Sequence, residues 1–352
     1  MTGGLWIALD GMGGDNAPRA VVAGADAILE RHPQVRFLIF GDEAQLKPLV
    51  GAARRLKGAA EIRHTDVVVR GDDKPSQALR KGRQSSMGLA IDAVKEGQAV
   101  GVVSAGNTGA LMALAKFGLR TLPGIDRPAI ASLLPTRRGE SVMLDLGANV
   151  ECDARNLVEF AVMGAQFARS LLGRLKPTVG ILNVGSEEMK GHDDVRQAAE
   201  RLRASDALPF IFHGFVEGDD IGAGTVDVVV TDGFTGNVAL KTAEGTAKLV
   251  TNYMSLALRR SWTTRLGALL ALPALRALRD RLDPRQYNGG VFLGLNGITV
   301  KSHGGTDAIG FASAIDVAVD MARSRMVELI AEDIRRFPAH LLGPTQPAVA
   351  VT

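Results

Sequence analysis

VGVVSAGNTGALMALAKFGL, residues Val100–Leu119, holds one complete structural unit. Its valine-rich opening, Val100 to Ser104, reads as a strand. Ala105-Gly106-Asn107-Thr108-Gly109 reads as a corner of small polar residues, and apolar spacing from Ala110 to about Leu119 predicts a helix. A continuous apolar run, unlike an alternating one, marks a strand buried on both faces. That implies a mainly parallel sheet with helices on each side. The unit recurs outward in both directions. Trp6 to Leu9 leads into Asp10-Gly11-Met12-Gly13-Gly14-Asp15-Asn16, with Pro18 where a helix opens. Val35 to Phe40 ends at Gly41-Asp42. Val142 to Leu146 leads into Gly147-Ala148-Asn149, and Asp153 is placed to cap a helix running to about Leu172. Val179 to Val184 precedes Gly185-Ser186-Glu187-Glu188-Met189-Lys190-Gly191. Val226 to Thr231 precedes Asp232-Gly233-Phe234-Thr235-Gly236-Asn237, and Ile298 to Ser302 precedes His303-Gly304-Gly305-Thr306-Asp307 and one long helix to about Arg336.

Between these units lies a different segment, Met254 to Pro284. Leu256, Leu258, Trp262, Leu266, Leu269 and Leu270 form an apolar stripe, Pro273 breaks it, and Leu275, Leu278 and Leu282 resume it. Arg259, Arg260, Arg265, Arg276, Arg279 and Arg281 face only Asp280 and Asp283. A basic amphipathic helical hairpin, 254–284, is expected as an insertion in a single α/β domain, 1–337, followed by a loose tail, 338–352. The 352 residues carry 41 Lys and Arg against 38 Asp and Glu, a net charge of +3, so no broad nucleic-acid surface is indicated. Cys152 is the only cysteine, which excludes an intrachain disulfide and suits a reducing compartment. Neither a signal-peptide pattern at Met1–Asp10 nor an apolar run of about 18 residues is present, so a cytoplasmic protein without a spanning helix is expected.

Ligands of open parallel sheets sit beyond the carboxyl ends of the strands. Five of the corners above lie at such ends and share a vocabulary of Gly, Asn, Ser and Thr with a few charges. Exposed backbone N–H groups and following helix N-termini suit them to anions such as phosphate. The corners are expected to converge on one rim. Gly11-Met12-Gly13-Gly14 departs from GxGxxG, and GxxxxGK, HExxH and GxSxG are absent. No built-in nucleophile, metal or cofactor is therefore expected. Cys152 reads as a small buried residue. A reaction that needs orientation and oxyanion stabilisation, with the nucleophile supplied as substrate, fits this inventory.

Seven segments in order resemble the bacterial phosphate acyltransferase family of phospholipid synthesis. They are Gly13-Gly14-Asp15-Asn16-Ala17-Pro18, Asp72-Asp73-Lys74-Pro75-Ser76-Gln77-Ala78, Ser104 to Ala110, Leu144 to Asn149, Asn183 to Glu188, Asp232 to Val238 and Lys301-Ser302-His303-Gly304. The likeness runs from about Ile7 to Arg336. It implies a three-layer Rossmann-like sheet of the isopropylmalate-dehydrogenase and phosphotransacetylase type. It also implies a cytosolic homodimer, acyl carrier protein as acyl donor, inorganic phosphate as acceptor, and a membrane glycerol-3-phosphate acyltransferase as recipient of the product. Gly11, Gly71, Gly88, His192 and Phe215 depart from the pattern and bear on chain preference or packing.

Lys301 and His303 are the first candidates for phosphate binding or oxyanion stabilisation, with Lys190 and Asn237 beside them as catalytic candidates. A structural ion pair is the competing reading for the first two, and a solvated loop lysine for Lys190. Ser104, Asn107, Thr108, Asn149, Asn183, Asp232, Gly233, Thr235 and Gly236 are candidates for phosphate or thioester binding, against the ordinary use of such residues in turns and caps. Asp10 and Asp232 would repel phosphate, so they are expected to orient a cation or cap a helix. Arg259, Arg260, Trp262, Arg265, Leu269 and Arg276 are candidates for contact with acyl carrier protein, an anionic membrane surface or the dimer partner. A short-chain phosphotransacetylase, a nicotinamide- and metal-dependent dehydrogenase of the same fold, and a non-catalytic scaffold are the rival functions. The dehydrogenase would need clustered Asp ligands and an Arg group that the sequence lacks.

Overall fold

Ile7 and Leu9 pack into one hydrophobic cluster and Ala8 into another, and all three are fully buried. The neighbouring strand repeats the pattern, with Phe37 and Ile39 on one side and Leu38 and Phe40 on the other. Only a sheet covered on both faces allows this. A computed structural model of the chain describes residues 4–73, 78–80, 82–205, 208–281, 285 and 288–337. Its strands are β1 (Leu5–Asp10), β2 (Val35–Gly41), β3 (Ala60–His64), β4 (Gly101–Ser104), β5 (Ala129–Thr136), β6 (Gly139–Leu144), β7 (Thr178–Leu182), β8 (Ile211–Val216), β9 (Val228–Val230), β10 (Gly290–Leu293) and β11 (Ile298–Lys301). They form one sheet in the order β3-β2-β1-β4-β11-β10-β5-β6-β9-β7-β8.

On one face lie helices Arg19–Ile28, Ala154–Leu172 and Ala308–Arg323, which contribute Val21, Ile28, Phe160, Phe167, Phe311 and Ile315 to the core. On the other lie Ser86–Lys95 and Thr108–Leu119, with Met87, Ile91, Leu111 and Ala115. Helix, sheet and helix make the three layers that the sequence predicts. Asp153 caps its helix as expected, in a reciprocal capping box with Asn156.

Most of the sheet is parallel, but β10 is antiparallel to both β11 and β5, and β5 is antiparallel to β6. These reversals in the middle of the sheet turn β6, β7, β8 and β9 against β1, β2, β3, β4 and β11. The carboxyl ends of the two groups therefore point in opposite directions, but the register sets them in one row. Leu144 pairs with Ala131, Ala131 with Val291, Val291 with Val300 and Val300 with Val103, so the end of β6 lies level with the ends of β11 and β4. The corners expected to converge thus form two rims that face each other across the middle of the sheet, because strand direction reverses through β10 and β5. Pro135 is tolerated near the end of β5, beyond the last residue paired with β10.

The last helix is two helices, Ala308–Arg323 and Met326–Arg336. Arg325 breaks it by taking a left-handed conformation, φ 54°, after which Met326, Ile330 and Ile334 are buried. The basic segment also differs from expectation. Its first limb is the outer end of one 27-residue helix, Gly233–Arg259, and its turn falls at Arg260-Ser261. Helices Trp262–Leu270 and Leu272–Arg281 follow. Pro273 starts the third helix where it was expected to break one, since a first-turn residue has no N–H partner to lose. Lys74, residues 282–284 and the tail 338–352 lie outside the described residues.

Candidate functional site

Asp10 ends β1 with its side chain buried. Its carboxylate accepts hydrogen bonds from the hydroxyls of Ser86 and Ser104, both at 2.6 Å, and from the Met12 N–H at 3.4 Å. Burial holds its pKa above the ordinary carboxylate value, and the two serine hydroxyls oppose that shift. Parallel register sets Lys301 of β11 directly beside Ser104 of β4. The Lys301 ammonium donates to the Ala105 carbonyl at 3.4 Å and to the Ser302 carbonyl. Loss of solvent lowers its pKa to about 8; Asp10 resists this and Lys241 adds to it.

Three loops are sewn together over this pair. The Asp15 N–H donates to the Gly304 carbonyl at 2.9 Å, and the Asn16 side chain donates to the Thr306 carbonyl at 2.9 Å. Gly14 has φ +97°, and a Cβ there would lie 2.8 Å from the Ala105 Cβ, so no other residue suits this crossing. His303 is fixed at both ends. Its N–H donates to Asn288 Oδ1 at 2.8 Å, and its Nδ1 accepts from the Gly305 N–H at 3.1 Å. Nδ1 is thus the acceptor, and the neutral ring carries its proton on Nε2. Desolvation, then the charge of Lys241, lowers the pKa of His303, with Lys301 and Lys248 adding to the shift and Glu244 opposing it. Lys241 and Lys248 belong to the helix Gly233–Arg259, which starts at the other rim. This helix carries its cations to the first rim, where they join Lys301, His303 and the N-terminus of Thr108–Leu119. Cations and a helix N-terminus about one point suit an anion.

The sequence reading expected Asp10 to orient a cation or cap a helix, and missed Ser86, Asn288 and Lys241 altogether. Lys241, Glu244 and Lys248 do share one helix face at i, i+3 and i+7, which was the available signal. Asn107 sits at this rim in a different role from the one expected. Its side-chain oxygen accepts from the Ala110 N–H at 2.9 Å, and its amide donates to Gly71 O at 2.7 Å and Asp73 O at 3.4 Å. Its donors are engaged in capping a helix and pinning a loop. Thr108, beside it, is exposed at the helix start.

The second rim is built around Asp145, at the end of β6. One carboxylate oxygen accepts from the N–H groups of Ile130, Gly147 and Ala148, at 2.9–3.1 Å. The other accepts from the N–H and the amide of Asn149, at 2.7 and 2.8 Å. The Asn149 amide also donates to Pro128 O at 2.8 Å, so this buried side chain braces the loop instead of facing a ligand. Asp232 caps the helix Gly233–Arg259 by accepting from the Thr235 N–H at 2.8 Å and its hydroxyl at 2.7 Å. Gly233 and Gly236 are needed for contact: a Cβ would come within 2.5 Å of Asn149 O and 1.9 Å of Asp145 O respectively. Asp232, Gly233, Thr235 and Gly236 therefore build a helix entry. Asn237 is exposed beside Gly147. The Asn183 amide donates to the Lys190 carbonyl at 3.1 Å, and Lys190 itself is exposed. Cys152 is half-buried near this rim, and burial, with the charge of Asp145, pushes its thiol up to about 12, which removes it as a nucleophile at neutral pH.

Arg259, Arg260, Trp262, Arg265, Leu269 and Arg276 are all exposed on the arm, away from both rims in sequence. Trp262 is 76% exposed and Leu270 79%. No described helix is long and apolar enough to cross a membrane.

Residues 5–329 match the model of a family described as fatty acid synthesis protein. The chain is 63% identical over 335 residues to the phosphate acyltransferase of Rhodospirillum centenum, covering 95% of this chain and 94% of that one. It is 61% identical over 336 residues to the phosphate acyltransferase of Rhodospirillum rubrum, with 96% of each covered. A phosphotransacetylase structure from Streptococcus pyogenes shares the fold, with a TM-score of 0.60 and 19% identity over 91% of this chain and 94% of that one. The relationship runs the length of the described sheet and takes in both rims, and the chain belongs to the phosphate acyltransferase family.

Proposed function

We propose that the chain moves a fatty acyl group from the thioester of an acyl carrier protein to inorganic phosphate, and that the reaction takes place at the rim formed by β1, β4 and β11. The observation that carries this placement is the cluster of the Lys301, Lys241 and Lys248 cations with the His303 ring over loops anchored by Asp10. A phosphate oxygen attacks the thioester carbonyl carbon and a C–O bond forms. The resulting oxyanion collapses, the C–S bond breaks, and the thiolate leaves and takes up a proton as the carrier thiol. Thiolate is a fair leaving group, with an ordinary pKa of about 8.5. Phosphate arrives already anionic near neutral pH, so the protein's work is to gather it, aim it and stabilise the oxyanion. Lys301 is protonated below about pH 8 and supplies charge from a desolvated position, while the Nε2–H of neutral His303 is the donor on offer to the oxyanion.

Incubation of the chain with acyl-carrier-protein thioester and phosphate, with hydroxylamine to trap product, tests this. Phosphate-dependent hydroxamate is expected, and Lys301→Ala should cut its formation by about 10²–10³-fold, the usual effect of losing one oxyanion or anion donor. Turnover without phosphate, or none, would overturn the reading. The chain acts as a cytosolic homodimer in this proposal. Its arginine-rich arm meets acidic carrier protein or anionic lipid, and its product passes to a membrane glycerol-3-phosphate acyltransferase.

A further inference from the structure

Helices Ser86–Lys95 and Thr108–Leu119 pack side by side, and a shallow open groove of about 150 Å³ runs along their seam. Leu79, Ile91, Leu114 and Phe117 line its apolar part, and Arg83, Asp92 and Lys95 supply its charged lining. Glycine deepens it. A Cβ on Gly118 would meet Ile91 Cγ2 at 2.9 Å, and one on Gly82 would meet Leu114 Cδ1 at 3.2 Å. Gly88, one of the departures from the family pattern, admits no side chain, because its Cβ would sit 2.1 Å from the Gly82 carbonyl oxygen.

Resting on the acyl-transfer reading, we propose that this groove receives the alkyl chain of the donor and sets the chain lengths accepted. Both of its walls originate at the first rim. Ser86, at the start of one helix, donates to Asp10, and Thr108 opens the other beside the Gly106-Asn107 corner. Phe117 stands nine residues further along its helix, about 14 Å at ~1.5 Å per residue, which is the scale of an extended acyl chain. Phe117 is 67% exposed although it is large and apolar, as expected of a groove wall awaiting an apolar occupant. Arg83, Asp92 and Lys95 share the lining with the apolar side chains, so the groove offers hydrocarbon contact along one side and charge along the other.

Two variants of the full chain test this, each assayed by hydroxamate trapping with a sixteen-carbon and a four-carbon thioester of the carrier protein. Phe117→Asp places a charge on an exposed wall, and Leu79→Trp fills the groove. The ratio of kcat/KM for the long donor to that for the short one should fall by about tenfold or more in both, the scale on which apolar pockets discriminate methylenes. A ratio unchanged in Phe117→Asp, whether or not overall activity falls, would overturn the assignment, and that surface variant decides the matter if Leu79→Trp is inactive on both donors. Failure of the unmodified chain on every donor would instead overturn the transferase reading, and the groove assignment with it.

Discussion

Lys301 concentrates the electrostatics of the site in one side chain. It ends its strand beside Ser104 and feels Asp10 and Asp15 as counter-charges and Lys241 as a like charge. Its pKa of about 8 lies below its ordinary 10.5 because solvent is withdrawn, so the native state holds this proton less tightly than the unfolded chain. The charge thus works against folding below about pH 8, and that penalty is relieved as pH rises from about 8 towards 10.5. A phosphate dianion binding beside the ammonium must raise this pKa again. At about pH 8.5, calorimetry in buffers of different ionisation enthalpy should therefore show net proton uptake on phosphate binding. The uptake should vanish in Lys301→Met; release of protons, or none exchanged by the unmodified chain, would contradict the placement. Lys301 and His303 were legible from sequence because they follow an apolar strand. Asp10 was legible as a residue that orients a cation, because it would repel phosphate itself, but its serine partners Ser86 and Ser104 lie far away in the chain and were not.

The long helix Gly233–Arg259 does two jobs at its two ends. Its first turn is locked into the second rim through Asp232, Gly233 and Gly236, and its middle carries Lys241 to the first. Its outer part, with Trp262–Leu270 and Leu272–Arg281, buries almost nothing: among the described residues of the long helix only Gly233 and Gly236 are buried. Exposed Trp262, Leu266, Leu269 and Leu270 beside Arg259, Arg260 and Arg265 have the composition of an interfacial segment. Co-flotation with anionic vesicles is expected at low salt, weakening several-fold as salt screens charge over ~10 Å at 0.1 M. Trp262→Ala with Leu269→Ala should abolish it. Absence of flotation at low salt would leave the arm to protein partners. The arm's composition was plain in the sequence. Its turn was misplaced because helical periodicity runs unbroken through residue 254, whereas Ser261, whose hydroxyl caps the next helix, marks the real boundary.

At the scale of the molecule, strand identity was easier to read than strand direction. Gly-rich corners flagged β1, β4, β6, β7, β9 and β11, since each needs backbone freedom where the chain leaves the sheet. β5 and β10 reverse the strand direction, and their register sets the loops at Asp10, Ser104 and Lys301 opposite those at Asp145, Asn183 and Asp232. A local pattern reports burial, but pairing depends on partners far away in the chain. Similar Gly-Asn corners therefore serve different ends: those of the second rim are largely engaged in holding a carboxylate and starting a helix, while the first rim gathers cations. The apparent KM for phosphate, measured by hydroxamate trapping in Lys241→Ala and in Lys190→Ala, separates the two facing rims most directly. A rise of about tenfold or more in Lys241→Ala, the scale of one lost charge-assisted contact, with little change in Lys190→Ala, is the result expected if phosphate is held over Asp10. A rise confined to Lys190→Ala would put phosphate on the facing rim, over Asp145, and contradict it.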